Sequence, residues 1–254
     1  MNAADLVNRQ AEVWRRLETV TDPELDEPVT DLEFVTRADV DADGRVHVAF
    51  RLPTYWCAAN FSYLMADDMR SAVLELPWVT SVEVILGEHM YADKINAGMA
   101  EGRSFEETFG EEADGDLAAL RRTFLVKAFQ RRQFALLSHL QDAGHGAEVL
   151  CAMTAAELHA LDLEAEAARL RDRYFERREI IACNGTAELA FVDAEGDRLQ
   201  AEALGGYLRA IRRVGVNAEF NGALCRGLLH ARFDMETPLS GRSADKVCEA
   251  HTTT

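Results

Sequence analysis

A change in hydrophobic period between residues 45 and 90 constrains the fold most strongly. Four apolar residues alternate with polar or small ones, namely Val46, Val48, Phe50 and Leu52. This period of two is typical of a half-buried β-strand. From Ala58 to Leu76 the apolar positions recur at three- and four-residue steps, which predicts an amphipathic helix that ends before Pro77. The segment "WVTSVEVIL", residues 78–86, then predicts a second strand.

Two further elements precede this strand–helix–strand order. Residues 6–20 place apolar side chains at helical spacing. The segment "LEFVTRADV" predicts another strand, and the acidic, glycine-containing "DADG" predicts a hairpin turn after it. Residues 1–90 are therefore predicted to form a small two-layer domain with the order α-β-β-α-β.

The remaining two-thirds of the chain is predicted to be mostly helical. We expect a helical connecting region over 91–150, with a long helix at 116–141, and a C-terminal helical/αβ module over 151–237. In that module "ELAFVDAEGD" predicts a strand and a turn, and "VNAEFNGALCRGLLHARF" predicts a short strand followed by a helix. Residues 238–254 are expected to be a flexible tail. The overall fold class is thus α/β (α+β), with a helical extension and a small C-terminal α/β unit.

The charge and hydropathy of the chain exclude several classes of partner. The net charge is −17, which opposes binding to nucleic acid, because a polyanion requires cationic neutralisation. No apolar run approaches the roughly 20 residues of a membrane helix. The N-terminal residues lack the basic start and apolar core of a signal peptide, so we expect a cytoplasmic protein.

The cysteine pattern indicates neither a disulfide framework nor a local metal cage. The five cysteines lie at positions 57, 151, 183, 225 and 248, and no two form a C-x-x-C pair. Cys183 and Cys225 flank the C-terminal module, where they either meet in space or serve as buried structural thiols. Buried thiols are the commoner case.

Cys57 is the most informative cysteine because it lies at the predicted start of a helix. Unpaired backbone N–H groups and the helix dipole at this position favour thiolate over thiol, and thiolate is the form that binds metal. Cys57 is also four residues before Phe61 and continues the apolar stripe. Simple packing of Cys57 in the core is therefore the alternative.

The segment "TDPE" allows two interpretations as well. Asp22, Pro23 and Glu24 suit the N-cap, the first position and the first turn of a short helix or tight turn. Alternatively, the two carboxylates lie near Cys57 and act as metal ligands or proton acceptors.

Three segments together resemble the iron–sulfur cluster assembly family that includes SufT, PaaD and the targeting subunit of the eukaryotic cytosolic iron–sulfur machinery. They are "VTDPELDEPVTDLEFV", "GRVHVAFRLPTYWC" and "LPWVTSVEVIL", within residues 10–88. Thr54 and Cys57 fill the family's Thr-x-x-Cys positions, Asp22 to Glu24 fill its acidic element, and Asp31 begins the next element.

The chain departs from the family pattern at two places. Glu33 stands where the family usually has glycine. Tyr55 and Trp56 replace smaller residues before the thiol, which gives the expected site an aromatic rim.

The resemblance implies a maturation factor, not an enzyme, that assists insertion of iron or an iron–sulfur cluster into a client metalloenzyme. It implies metal binding by Cys57 with Asp22 and Glu24, support from Thr54 and Asp31, a transient iron or cluster cargo, and no permanently bound cofactor. One thiolate cannot hold a cluster alone, so a homodimer that pairs two copies of Cys57 is one arrangement. The helical extension resembles that of proteins accompanying bacterial di-iron monooxygenases, which suggests a di-iron hydroxylase as client.

Two other functions compete with this prediction. In the first, the protein is a non-catalytic adaptor or chaperone-like scaffold and Cys57 is only structural. In the second, it is a thiol-dependent enzyme that needs a base near Cys57. His47 is the candidate base in the family-like region, but it lies on the opposite strand face from Val46 and Val48.

Overall fold

The computed structural model describes residues 3–113, 116–181 and 188–233, apart from the side chains of Ala3 and Asn217. Its N-terminal part has the predicted order α-β-β-α-β. The elements are α1 (Ala3–Leu17), β1 (Val35–Val40), β2 (Arg45–Phe50), α2 (Ala59–Leu74) and β3 (Ser81–Leu86). The predicted fold class is confirmed: a small α/β domain precedes a mostly helical extension.

The three strands form one sheet in the order β1-β2-β3. Strand β2 pairs antiparallel with β1, where Val40 faces Val46, and parallel with β3, where Val48 faces Val84. Helix α2 is the crossover between the two parallel strands, and both α1 and α2 pack on the sheet. The alternating residues of β2 point into the core, as their period of two predicts.

The predicted hairpin turn "DADG" joins β1 and β2. Asp41 Oδ1 accepts hydrogen bonds from the backbone N–H groups of Asp43 and Arg45, both at 2.9 Å. Gly44 has a φ of +82°, and a Cβ atom there would lie 2.5 Å from the carbonyl oxygen of Trp78. This turn therefore requires glycine for both its backbone conformation and its close packing.

Seven more helices follow the sheet in the described residues. They are α3 (Ala92–Glu101), α4 (Phe105–Phe109), α5 (Leu117–Asp142), α6 (Ala147–Ala152), α7 (Ala155–Ala160), α8 (Ala165–Arg178) and α9 (Leu204–Arg232). Short 3-10 turns occupy Gly110–Glu112 and Ala201–Ala203. Across the described ranges, no helix is both long enough and apolar enough to cross a bilayer.

The C-terminal module differs in part from the prediction. The long helix predicted at 116–141, in the connecting region, appears as α5. In the module itself, a capping box of Thr154 and Glu157 begins α7. The strand predicted in "ELAFVDAEGD" is wrong, because Leu189 and Val192 form only isolated bridges, with Thr154 and Arg198. The short strand predicted at the start of residues 216–233 is also wrong, because residues 216–232 lie within α9. Its inward face packs on two cores, and this tertiary packing overrides local strand propensity. The predicted tail, 238–254, and Cys183 lie outside the described residues.

Two hydrophobic clusters make up the interior. The first is built mainly from α1 to α4 and the sheet, and the second from α5 to α9. Helix α9 contributes to both, because Leu208 and Ile211 lie in the second cluster whereas Leu229 lies in the first. The C-terminal half of α9 therefore lies against the N-terminal domain.

Candidate functional site

Cys57 lies in the loop between β2 and α2, two residues before α2 begins at Ala59. Its side chain is half-buried, and its Sγ lies 3.2 Å from Thr54 Oγ1. The same hydroxyl oxygen accepts a hydrogen bond from the backbone N–H of Trp56 at 3.2 Å. Thr54 therefore holds the loop in the turn that presents the sulfur, which is a structural reason for a threonine three residues before the cysteine.

An exposed aromatic pair borders Cys57. The rings of Tyr55 and Trp56 make an edge-to-face contact with centroids 5.0 Å apart, and 71% of Trp56 is exposed. The backbone carbonyl of Tyr55 accepts a hydrogen bond from the N–H of Met90 at 3.0 Å, and the Met90 side chain is also exposed. The aromatic rim expected from the sequence is present and continues onto Met90.

His89 is a buried neighbour of Cys57 that the sequence reasoning missed. Its Nε2 lies 2.8 Å from the Cys57 carbonyl oxygen, and its Nδ1 accepts a hydrogen bond from the Tyr91 N–H at 3.1 Å. Burial lowers the pKa of His89, although the bond to the Cys57 carbonyl opposes the shift. A neutral imidazole protonated at Nε2 satisfies both contacts. Its place in the loop that follows β3 was the one sequence signal that could have identified it.

Asp22 caps the turn that it begins. Its Oδ1 accepts hydrogen bonds from the N–H groups of Glu24, at 2.9 Å, and Leu25, at 2.8 Å. Burial raises the pKa of Asp22 to about 6, against the lowering effect of these two donors. The turn interpretation of "TDPE" is thus realised, and the carboxyl group also lies in an environment that disfavours its charge.

Glu24 and its neighbour Glu27 connect this turn to α9. Asn221 Nδ2 donates to Glu24 Oε1 at 3.1 Å, and Arg226 forms an ion pair with Glu27 at 2.7 Å. From α5, Arg131 donates to the Glu24 carbonyl oxygen at 3.0 Å. The acidic turn is therefore fixed by the helical extension as well as by its own domain.

The thiol of Cys225, in α9, is influenced by groups of both the acidic turn and the Cys57 loop. Burial raises the pKa of the Cys225 thiol to about 11, and neighbouring Asp22, Cys57 and Glu24 raise it further. Cys57 and Cys225 also pack against the same hydrophobic cluster. The charges of Asp22, Glu24 and Cys57 therefore all act on the same residue of α9. Sequence reasoning missed this role of Cys225, because no local pattern relates α9 to the N-terminal domain.

Asp31 lies elsewhere. It is exposed in the turn before β1, beside a surface cleft that Arg173 and Arg177 also line. The lining of this cleft contains neither Thr54 nor Cys57.

The described structure contains no assembled metal site, and the suggested base, His47, pairs with a glutamate. Within residues 3–113, 116–181 and 188–233, no group of three His, Cys, Asp or Glu side chains is arranged to hold a metal ion. His47 Nδ1 lies 2.6 Å from Glu83 Oε2 on the neighbouring strand. The sulfur of Cys57 is therefore a single donor, with acids nearby but without an assembled ligand set.

Comparison with known proteins identifies the N-terminal region. Residues 10–84 match the family model described as iron–sulfur cluster assembly protein. The chain is 34% identical over 68 residues to the Fe-S protein maturation auxiliary factor YitW of Bacillus subtilis (strain 168), which covers 27% of this chain and 65% of that relative. The match thus spans less than two-thirds of the relative's length.

A solved structure also matches. The crystal structure of a domain of unknown function, DUF59, from Bacillus anthracis is 20% identical and aligns with 40% of this chain and 98% of that chain, with a TM-score of 0.32. The sequence matches cover the turn of Asp22 and the loop of Cys57. The N-terminal region of this chain, residues 10–84, is thus similar to the iron–sulfur cluster assembly protein family.

Proposed function

We propose that the protein is an auxiliary maturation factor that assists the insertion of iron or an iron–sulfur cluster into a client metalloenzyme. Its role is to hand over cargo to another protein, so it turns over no substrate of its own. The observation that carries this proposal is the half-buried Cys57 at the start of α2, beside an exposed aromatic rim and inside the region that matches the family.

Cys57 is the proposed cargo ligand. Its sulfur is held near the Thr54 hydroxyl, and the acidic groups of Asp22 and Glu24 lie around the same stretch of α9. A thiolate suits iron, and carboxylates suit the same ion in a harder coordination environment. Since a single thiolate does not complete a ligand set, the remaining ligands come from the client or from a second copy of this chain. Asp31 then acts outside the cargo site, at its own exposed turn.

The client we propose is a di-iron hydroxylase of a multicomponent monooxygenase. Support comes from the long helical extension, which supplies more than half of the chain and reaches the Cys57 site through α9. An extension in this position can recognise one client and place it next to the cargo ligand.

One observation favours a second candidate function, that of an adaptor in which Cys57 is structural. Cys57 packs against the first hydrophobic cluster, and the described residues assemble no three-ligand site. In that case α9 and the aromatic rim would hold two proteins together without cargo.

A Cys57→Ser variant separates the two functions. The matched control is Cys151→Ala, which removes a buried thiol of the second cluster. We expect Cys57→Ser to fold normally by circular dichroism, to lose iron and sulfide uptake in an anaerobic titration, and to fail to activate a co-expressed di-iron hydroxylase. Cys151→Ala should retain both activities. Full client activation by a folded Cys57→Ser protein would remove the cargo function and leave the adaptor.

A further inference from the structure

Helix α9 exposes one continuous face that is basic at its beginning and apolar at its end. The basic part consists of Arg209, Arg212 and Arg213, and the apolar part consists of Val216, Phe220, Leu224 and Leu228. Spacings of three, four and seven residues place all seven on the same side of the helix. We call these seven residues the outer face of α9. It is roughly 28 Å long, at about 1.5 Å per residue.

The apolar part of this face lacks the polar residues that an exposed helix face normally carries. Phe220 is 69% exposed, and Val216, Leu224 and Leu228 are each more than one-third exposed. The opposite face of α9 packs into the two hydrophobic clusters, through Ile211 in the second and Leu229 in the first. Within the described residues, the outer face contributes to neither cluster. A contiguous exposed apolar surface of this kind marks an interaction site.

The outer face leads directly to the Cys57 site. Arg232 lies one turn after Leu228 and donates to the carbonyl oxygens of Leu52, at 3.2 Å, and Glu88, at 2.6 Å. The last turn of α9 thus lies on the two loops that carry Tyr55, Trp56 and Met90. The apolar end of the outer face is therefore the end of α9 that approaches these two loops.

The charge of α9 is opposite to that of the whole chain. The helix contains five arginines and one glutamate, Glu219, in a chain with a net charge of −17. Arg226 and Arg232 pair with Glu27 and Glu88. Among the described residues, the three arginines of the outer face have no ion pair. Free cations of this kind attract an acidic partner.

We propose that the outer face of α9 docks an amphipathic helix of the client, with acidic side chains over the three arginines and apolar side chains over Phe220 and Leu224. The partner helix then runs toward Trp56, so its far end arrives beside Cys57. This placement rests on the proposed maturation function, but the docking chemistry itself does not. An apolar helix laid along an apolar helix face is a common recognition mode.

The arrangement of charges disfavours a second copy of this chain as the occupant. In a parallel pairing of two outer faces, the arginines of one copy would face those of the other. In an antiparallel pairing, each basic end would cover Leu224 and Leu228 of the partner copy, and the single acid Glu219 would not balance it. The parallel pairing is opposed by repulsion between like charges, and the antiparallel pairing by arginines buried without a counter-charge.

The test uses the full chain and two dye-labelled synthetic peptides of about 18 residues, which is roughly 27 Å as a helix. Both peptides have the same leucine face. One carries three glutamates in a terminal turn, and the other carries three lysines there. Fluorescence anisotropy at low and moderate salt gives the dissociation constants. We expect the glutamate peptide to bind at least ten-fold more tightly at low salt, and the difference to shrink as salt is added.

Three variants locate the binding. The double variant Phe220→Ser with Leu224→Ser should raise the dissociation constant of the glutamate peptide by about ten-fold or more, because central apolar anchors dominate such interfaces. Arg212→Gln with Arg213→Gln should reduce the preference for glutamate over lysine. The control Val149→Ser, at an exposed apolar residue of α6, should change nothing.

Several results would overturn the proposal. One is equal affinity for the two peptides, and another is unchanged peptide affinity in the Phe220 and Leu224 double variant. A third is a dimer of the original chain in sedimentation that becomes a monomer in this double variant. The maturation function is separable, since Cys57→Ser should keep peptide binding even where it loses client activation. Lost cargo uptake with retained docking would contradict only the proposed function.

Discussion

The buried carboxyl group of Asp22 makes the stability of the protein depend on pH. Its pKa is raised by burial from the ordinary 3.8 to about 6, so the folded state binds this proton more tightly than the unfolded chain does. The resulting stabilisation is complete below about pH 4 and is lost as pH rises through 6. Above that pH the native state carries a poorly solvated charge, which lowers its stability.

We therefore predict that Asp22→Asn stabilises the protein at neutral pH. The amide oxygen can still accept the two backbone hydrogen bonds, and the buried charge is gone. The free energy of unfolding in urea should rise by roughly 2 to 3 kcal/mol at pH 7.5 and by much less at pH 4, since one pKa unit corresponds to about 1.4 kcal/mol. Asp31→Asn, at an exposed carboxylate, is the control. Equal effects of Asp22→Asn at both pH values would contradict this account.

Glu33 lowers the stability of the folded state in a different way, through its backbone conformation. It adopts a φ of +58°, in the left-handed region that side chains with a Cβ disfavour. We predict that Glu33→Gly raises the free energy of unfolding by about 0.5 to 1 kcal/mol, the strain relieved minus the added freedom of the unfolded chain. Asp31→Gly, two residues earlier and without a positive φ, should destabilise in the same urea titration.

At the scale of the element, the cost of a substitution in α9 depends on the face of the helix that the residue occupies. Leu229 is 1% exposed in the first hydrophobic cluster, whereas its neighbour Leu228 is 39% exposed on the outer face. Leu229→Ala should therefore lower the free energy of unfolding by about 2 to 4 kcal/mol, the usual cost of a core cavity. Leu228→Ala should cost less than about 1 kcal/mol. If the two variants were equally stable, α9 would not pack on the N-terminal domain as described.

The elements differ in how far the sequence predicts them. Strand β2 and helix α2 are predicted well because each buries one face of a regular local period. The β-branched and aromatic residues of the segment 216–233 favour a short strand before the helix when only local sequence is taken into account. Its helical state is decided by Cys225 and Leu229, which pack on a domain more than a hundred residues earlier in the chain. A local pattern contains no information about that contact.

At the scale of the whole molecule, Asp26 joins the acidic turn to two helices of the extension. Arg132 of α5 holds both oxygens of Asp26, at 2.6 and 2.8 Å, and Arg177 of α8 adds a contact at 3.0 Å. The side chains of Asp26 and Arg132 are almost fully buried. This cluster therefore fixes the N-terminal domain against α5 and α8.

We predict that Asp26→Ala destabilises the whole molecule by about 3 to 5 kcal/mol, because it leaves Arg132 buried without its main counter-charge. Glu176→Ala removes a more exposed partner of the same arginine and should cost about 1 kcal/mol or less. Thermal unfolding followed by circular dichroism measures both. A small loss in Asp26→Ala would show that the two parts of the chain are held together mainly by apolar packing.

The candidate site was only partly predictable for the same reason as α9. Cys57, Thr54 and the aromatic rim follow one another in sequence, so a motif can identify them. The hydrogen bond from Asn221 to Glu24, and the packing of Cys225 on the same hydrophobic cluster as Cys57, depend on how the extension folds back. The sequence contains these residues, but their meeting is a property of tertiary structure.

The distance along the chain between the acidic turn and α9 has a consequence for biosynthesis. Glu24 and Asn221 are 197 positions apart, and Glu27 and Arg226 are 199 apart. At a translation rate of about 5 to 20 residues per second, roughly 10 to 40 seconds separate the emergence of the two partners from the ribosome. During this interval the nascent chain has a folded or folding N-terminal domain whose Cys57 lacks its neighbour Cys225. Oxidants and chaperones therefore meet this thiol in newborn chains before α9 is synthesised.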